Sequence, residues 1–121
     1  MKSSIDVINI SIMSGVEDGK VYEFEKDPII IGRHSTDDVN LAYDSRVSRH
    51  HARISKDGNI YYVEDVGPEW RGSKTGTFVK DIRIDKKTAI TSGELILIGN
   101  VWIKFETKCI NKPLQMLSES R

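Results

Sequence analysis

ELILIGNVWIKFE, from Glu94 to Glu106, reads as two strands and the turn that joins them. Leu95, Ile96, Leu97 and Ile98 lead into Gly99-Asn100, and Val101, Ile103 and Phe105 return from it. Apolar residues on either side of a two-residue Gly-Asn connection mark a β-hairpin. Outward from this hairpin the period of two recurs. It predicts strands at 5–12, 20–24, 29–31, 39–41, 52–55, 60–64, 77–79, 82–84, 88–90, 94–98 and 101–106, all rich in Ile, Val, Tyr, Phe and Thr. Asp57-Gly58, Lys80-Asp81 and Ser92-Gly93 supply further turns.

No stretch of eleven or more residues shows capped helical spacing, so the chain is all-β, a sandwich or a barrel, with helix as one loop turn at most. At 121 residues it is one domain, long enough to bury a core without staples. The alternation stops after Glu106. Residues 1–107 are therefore expected to form the domain, and 108–121, with Pro113, a flexible or loosely docked tail. Leu114, Met116 and Leu117 offer the alternative of packing on a sheet edge or a partner.

Charge and cysteine content narrow the function classes. Lys plus Arg and Asp plus Glu are 18 each, so no overall field draws the chain to nucleic acid or an anionic membrane. Arg46, Arg49, Arg53, Lys74, Lys80 and Arg83 offer a basic face, but no aromatic platform for stacking bases goes with it. Cys109 is the sole cysteine; no intrachain disulfide can form, which fits a reducing compartment. The opening MKSSIDVINISIM places Asp6 and Asn9 within an alternating pattern, unlike a signal peptide or a membrane span. These features lead to the expectation of a cytoplasmic protein.

Three segments carry chemistry. Gly32-Arg33 leaves the strand at 29–31: the glycine permits a sharp exit or a close neighbour, and the planar guanidinium suits phosphate or carboxylate, unless it is simply solvated. In VSRHHARI, Val47 to Ile54, Ser48, Arg49 and His50 sit in the loop before a strand, where a hydroxyl beside cations makes an anion cradle. A Ser48 nucleophile with a histidine base would also need an acidic orienter and an oxyanion hole, and no such pattern is present. His50 and His51, adjacent in an extended chain, point to opposite sides and would not share a metal; His51 is expected to hydrogen-bond between loops. In SKTGTFV, Ser73 to Val79, Gly76 between Thr75 and Thr77 marks a tight turn with Lys74 beside it.

Taken together, Gly32-Arg33, Ser48 with His51, and Thr75-Gly76-Thr77-Phe78-Val79 resemble the forkhead-associated (FHA) domain in order and spacing, over roughly residues 5–106. The resemblance implies an eleven-stranded β-sandwich of two sheets whose end loops bind phosphothreonine peptides without catalysis or cofactor. By it, Arg33 clamps the phosphate, Ser48 donates its hydroxyl, and Arg49 or His50 adds donors or touches the peptide. Lys74 stands where the family often has Thr or Ser, and His51, Gly32, Gly76 and Thr77 support the loops. The chain departs from the family pattern at Thr75, which replaces an Asn whose amide holds the peptide backbone. It departs again at the longer stretch Gly67-Pro68-Glu69-Trp70-Arg71-Gly72. There Trp70 and Arg71 either lean over the ligand surface, or Trp70 caps the sheet edge.

The resemblance implies an adaptor in Ser/Thr kinase signalling, with a phosphothreonine-containing protein as partner; the sequence does not fix the oligomeric state, and a monomer is the favoured expectation. The alternative is a phosphorylation-independent interaction or self-assembly domain on the same fold, a reading that Lys74 and Thr75 favour.

Overall fold

The computed structural model describes residues 2–113. Eleven strands form two sheets, matching the expected architecture. They are β1 (Lys2–Ile12), β2 (Val21–Phe24), β3 (Ile29–Gly32), β4 (Val39–Asn40), β5 (Ala52–Asp57), β6 (Ile60–Asp65), β7 (Thr77–Val79), β8 (Ile82–Arg83), β9 (Thr88–Ile90), β10 (Glu94–Ile98) and β11 (Val101–Pro113). One sheet runs β2-β1-β11-β10-β7-β8 and the other β4-β3-β5-β6-β9. All pairings are antiparallel except β3 with β4. Among the described residues the only helix is a 3-10 turn at Pro68–Trp70, and none is long and apolar enough to cross a membrane.

The hairpin at the end of the chain shows how the core is built. Ile98 opposes Val101 across Gly99-Asn100, and Ile96 opposes Ile103. Alternation buries Ile96, Ile98, Val101, Ile103 and Phe105 and turns Leu95, Leu97, Trp102 and Lys104 to the outer face. From the facing sheet Ile29, Ile31, Ala52, Ile54, Tyr61 and Val63 complete a continuous core. Each of the Ile, Val and Phe side chains among them, once fully buried, stabilises the fold by about 1.5–3 kcal/mol.

The last strand is longer than the expected 101–106. β11 does not stop near Glu106 but continues to Pro113, pairing with β1 through Thr107↔Ile8, Cys109↔Asp6 and Ile110↔Ile5. Residues 108–113 thus belong to a two-stranded ribbon that runs past the pairing of β1 with β2 and of β11 with β10. Residues 107–110 add nothing to the hydrophobic core cluster, so they lack the apolar alternation by which strands are read. Leu114, Met116 and Leu117 lie outside the described residues.

The two hairpin ends of the sandwich differ. β5 and β6 are joined by a tight turn at Gly58-Asn59, whereas the connections between β3 and β4, β4 and β5, and β6 and β7 all open at the other end. They span residues 33–38, 41–51 and 66–76.

Candidate functional site

Backbone bonds draw the three long connections together. The Arg33 amide donates to the Ser48 carbonyl at 3.1 Å, the Val66 amide to His51 at 2.9 Å, and the Gly67 amide to His50 at 2.8 Å. The Lys74 amide donates to Ser48 Oγ at 2.9 Å. One loop, residues 47–51, is therefore the hub on which the other two rest.

Two carboxylates and one imidazole fix this arrangement from within. Asp37 is buried and accepts the His34 and His50 amides on Oδ2, each at 3.0 Å, and the His50 ring Nδ1–H on Oδ1 at 2.5 Å. His50 reaches this position with a left-handed φ of 50°. The same approach explains Gly32: a Cβ there would lie 2.6 Å from the His50 nitrogen, so no side chain fits. Asp65 organises the third loop, accepting the Ser73 amide at 2.6 Å, the Ser73 hydroxyl, and the Thr77 hydroxyl at 2.8 Å. Ser73 Oγ in turn accepts the Gly76 amide at 2.9 Å. Gly76 has a φ of 92°, which an L side chain rarely adopts.

His51, fully buried, ties the hub to the third loop. Its Nδ1 accepts the Ser48 amide at 3.0 Å, so the proton sits on Nε2 and is donated to the Gly76 carbonyl at 2.8 Å. Burial pushes its pKa below the ordinary imidazole value, against the opposing pull of the Gly76 carbonyl and Asp65. It is a neutral strut.

Above this framework lies an open groove lined by Arg33, Ser48, Arg49, Pro68, Arg71, Gly72 and Lys74. Arg33 Nε donates to the Val47 carbonyl at 2.8 Å, which aims the guanidinium and leaves its two terminal nitrogens without partners among the described residues. Ser48 Oγ accepts from the Lys74 amide and keeps its own proton to donate. Both ring nitrogens of His51 are engaged, by the Ser48 amide and the Gly76 carbonyl, and among the described residues no hydrogen bond joins Ser48 Oγ to His50. The groove therefore offers hydrogen-bond donors and positive charge, the requirements for holding an anion.

Not every residue singled out in the sequence lines this groove. Thr75 donates its hydroxyl proton to the Arg46 carbonyl at 2.7 Å, so that proton is already engaged within the protein. His50 also lies outside the lining of this groove. Its ring borders a separate small cavity with Pro28, Ile30, Arg53, Val66, Gly67, Glu69 and Trp70. The two tips of the 67–72 stretch divide: Arg71 lines the groove, while Trp70 lies against Arg53 of β5, whose guanidinium sits 4.9 Å from the ring centre. Asp37 and Asp65 were not singled out; the only available signal was an acidic residue beside Gly-rich, Ser-rich turns.

The family model for the FHA domain matches residues 29–99. The FHA domain-containing protein FhaB of Mycobacterium tuberculosis is 28% identical over 93 residues, covering 77% of this chain and 56% of FhaB. The chain thus spans about half the length of the curated relatives it matches. Among solved structures, Mycobacterium tuberculosis EmbR in complex with a low-affinity phosphopeptide superposes with a TM-score of 0.70 at 28% identity. The match covers 83% of this chain and 24% of EmbR. A structure from work on phosphothreonine-dependent FHA domain interactions gives a TM-score of 0.69 at 25% identity, covering 83% of this chain and 95% of that one.

Proposed function

The chain belongs to the FHA family, and from that premise we propose that it is a non-enzymatic reader of phosphothreonine in a partner protein, acting as an adaptor downstream of a Ser/Thr kinase. The observation that carries this reading is the convergence of Arg33, Ser48 and Lys74 on one groove with donors to spare. In it, the terminal guanidinium nitrogens of Arg33 and the Ser48 hydroxyl donate to the phosphate oxygens while the Lys74 ammonium adds charge. A phosphoryl group brings about −1.5 to −2 charges and three strong acceptors. Charge-assisted hydrogen bonds of roughly 1.5–3 kcal/mol each bring a peptide to micromolar affinity, near −8 kcal/mol. Unphosphorylated threonine offers none of them.

Thr75 shapes the affinity. Its proton lies on the Arg46 carbonyl, and it lacks the two-donor amide of the family's Asn, so the peptide backbone is held by fewer bonds. This feature also favours a second reading, a phosphorylation-independent interaction domain. So does the outer sheet face, where Phe78, Leu97 and Trp102 stand side by side in register.

Calorimetry with a phosphothreonine peptide library separates the two readings. On the first, Arg33→Ala weakens binding about 30-fold or more and Ser48→Ala about tenfold, as loss of charged and single hydrogen bonds respectively. Dephosphorylation abolishes binding. Equal affinity in both variants, or a partner indifferent to phosphatase treatment, overturns the first reading in favour of the second.

A further inference from the structure

Four cationic side chains, Arg33, Arg49, Arg71 and Lys74, line the groove, and no carboxylate does. This is a local asymmetry in a chain whose formal charges sum to zero. One phosphothreonine supplies about −1.5 to −2 charges, which leaves roughly half of that positive charge unmatched. Some cations elsewhere have close partners, as Lys26 with Asp38 at 2.7 Å, Arg53 with Glu64 at 2.7 Å and Lys80 with Glu94 at 3.5 Å. Those without an ion pair among the described residues, such as Arg46, Arg83 and Lys86, do not share one groove with three other cations. Among the described residues Arg49 and Lys74 have no ion pair. Arg71 has only Glu69 at 3.3 Å, with the two side chains 80% and 74% exposed, an arrangement that water and a ligand can readily displace.

The backbone that carries Arg71 is well defined. Gly72 closes back on the Val66 carbonyl at 2.7 Å, Arg71 on Pro68 at 3.1 Å, and Gly67 is tied to His50 in the hub loop at 2.8 Å. At Gly67, with a φ of 71°, a Cβ would collide with the Gly72 backbone, so the stretch folds tightly on itself. Arg71 is therefore presented from a loop anchored to the same segment that carries Ser48 and Arg49.

We propose that the groove takes a ligand carrying a second anionic group close to the phosphothreonine, held by Arg71 and Arg49 while Arg33, Ser48 and Lys74 hold the first phosphate. This rests on the phosphothreonine reading and names the chemistry of its ligand: a peptide bearing either a second phosphate or an acidic side chain next to the primary site. Both sources present oxygen anions to guanidinium forks.

The test is calorimetry on the full chain with four peptides of one sequence at about 0.15 M salt. One is unphosphorylated, one carries a single phosphothreonine flanked by neutral residues, one a second phosphorylated residue, and one Glu at that second position. Across the flanking positions scanned, an added anion tightens binding about three- to tenfold over the neutral-flanked peptide. That gain shrinks below about twofold in Arg71→Gln and declines as salt rises. A gain from phosphate alone identifies a doubly phosphorylated ligand, and an equal gain from Glu an acidic one; both support the proposal. It is overturned if the neutral-flanked phosphopeptide binds as tightly as both of the doubly anionic peptides, or if the gain is unchanged in both Arg71→Gln and Arg49→Gln. Because the Arg71 side chain is exposed, the variant does not put folding at risk. Failure of every phosphorylated peptide to bind overturns the phosphothreonine reading itself.

Discussion

The two ends of the sandwich place charged groups at the edge of the same core and do opposite things with them. At the turn end, Lys56 Nζ pairs with Asp6, and the Tyr61 hydroxyl donates to the same carboxylate at 2.8 Å. The cation and the anion satisfy each other. Asp6 is held below the usual carboxylate range by these two donors, Lys56 foremost, and Tyr61 is pushed up to about 12 by burial and by Asp6. At the loop end the carboxylates Asp37 and Asp65 are turned inward to backbone amides, hydroxyls and one ring N–H. The cations there are left to face outward into the groove. The difference teaches where binding capacity comes from. A cation whose counter-charge is internal to the fold is structural; one whose neighbouring carboxylates are occupied elsewhere is available.

The comparison breaks most visibly at Asp37. Asp37→Ala removes the acceptor of three donors in a buried setting and is expected to cost about 3 kcal/mol of stability. It should also loosen the hub loop, so phosphopeptide affinity falls although no groove residue has changed. Denaturant unfolding together with peptide titration checks both parts; a stable variant with full affinity would show that Asp37 does not organise the site. A smaller effect is expected from pH. His51 has a folded pKa below its unfolded value of 6.5, so between the two the unfolded chain binds more protons. The stabilisation that comes from keeping His51 neutral is complete above the unfolded pKa and is lost as pH falls toward the folded one. Melting temperature should therefore fall on acidification from pH 7, and His51→Gln should lack that part of the slope. The smallest effect belongs to the turn end. Lys56→Met is expected to change stability by less than about 1 kcal/mol and to leave phosphopeptide affinity unaltered. A binding defect there would mean that the two ends are coupled.

Much of this arrangement was legible in the residues. The strands declared themselves because both sheets bury one face and turn the other outward, which writes a period of two into 52–55 and 101–106, while 29–31 and 94–98 carry short unbroken apolar runs flanked by turn residues. Arg33 and Ser48 stood out because special backbone and donor chemistry meet at a strand end. Other features left no local trace. Residues 107–113 pair with a strand at the opposite end of the chain, and 107–110 contribute no side chain to the core cluster that would impose apolar spacing. Asp37 and Asp65 look like any solvated loop acid until the fold shows which amides they face. Thr75 finds its acceptor at Arg46, 29 residues away, and Lys56 its carboxylate at Asp6, 50 residues away. Such pairings are properties of the topology.

The most direct measurement is an NMR titration of the labelled chain with a phosphothreonine peptide, following backbone amides at both ends of the sandwich. The account predicts large shifts confined to residues 32–37, 47–51 and 71–76, with the amides of 56–61 unmoved, and none of these changes with the unphosphorylated peptide. Shifts centred on the outer face around Phe78, Leu97 and Trp102, or the same pattern with and without the phosphate, would contradict it.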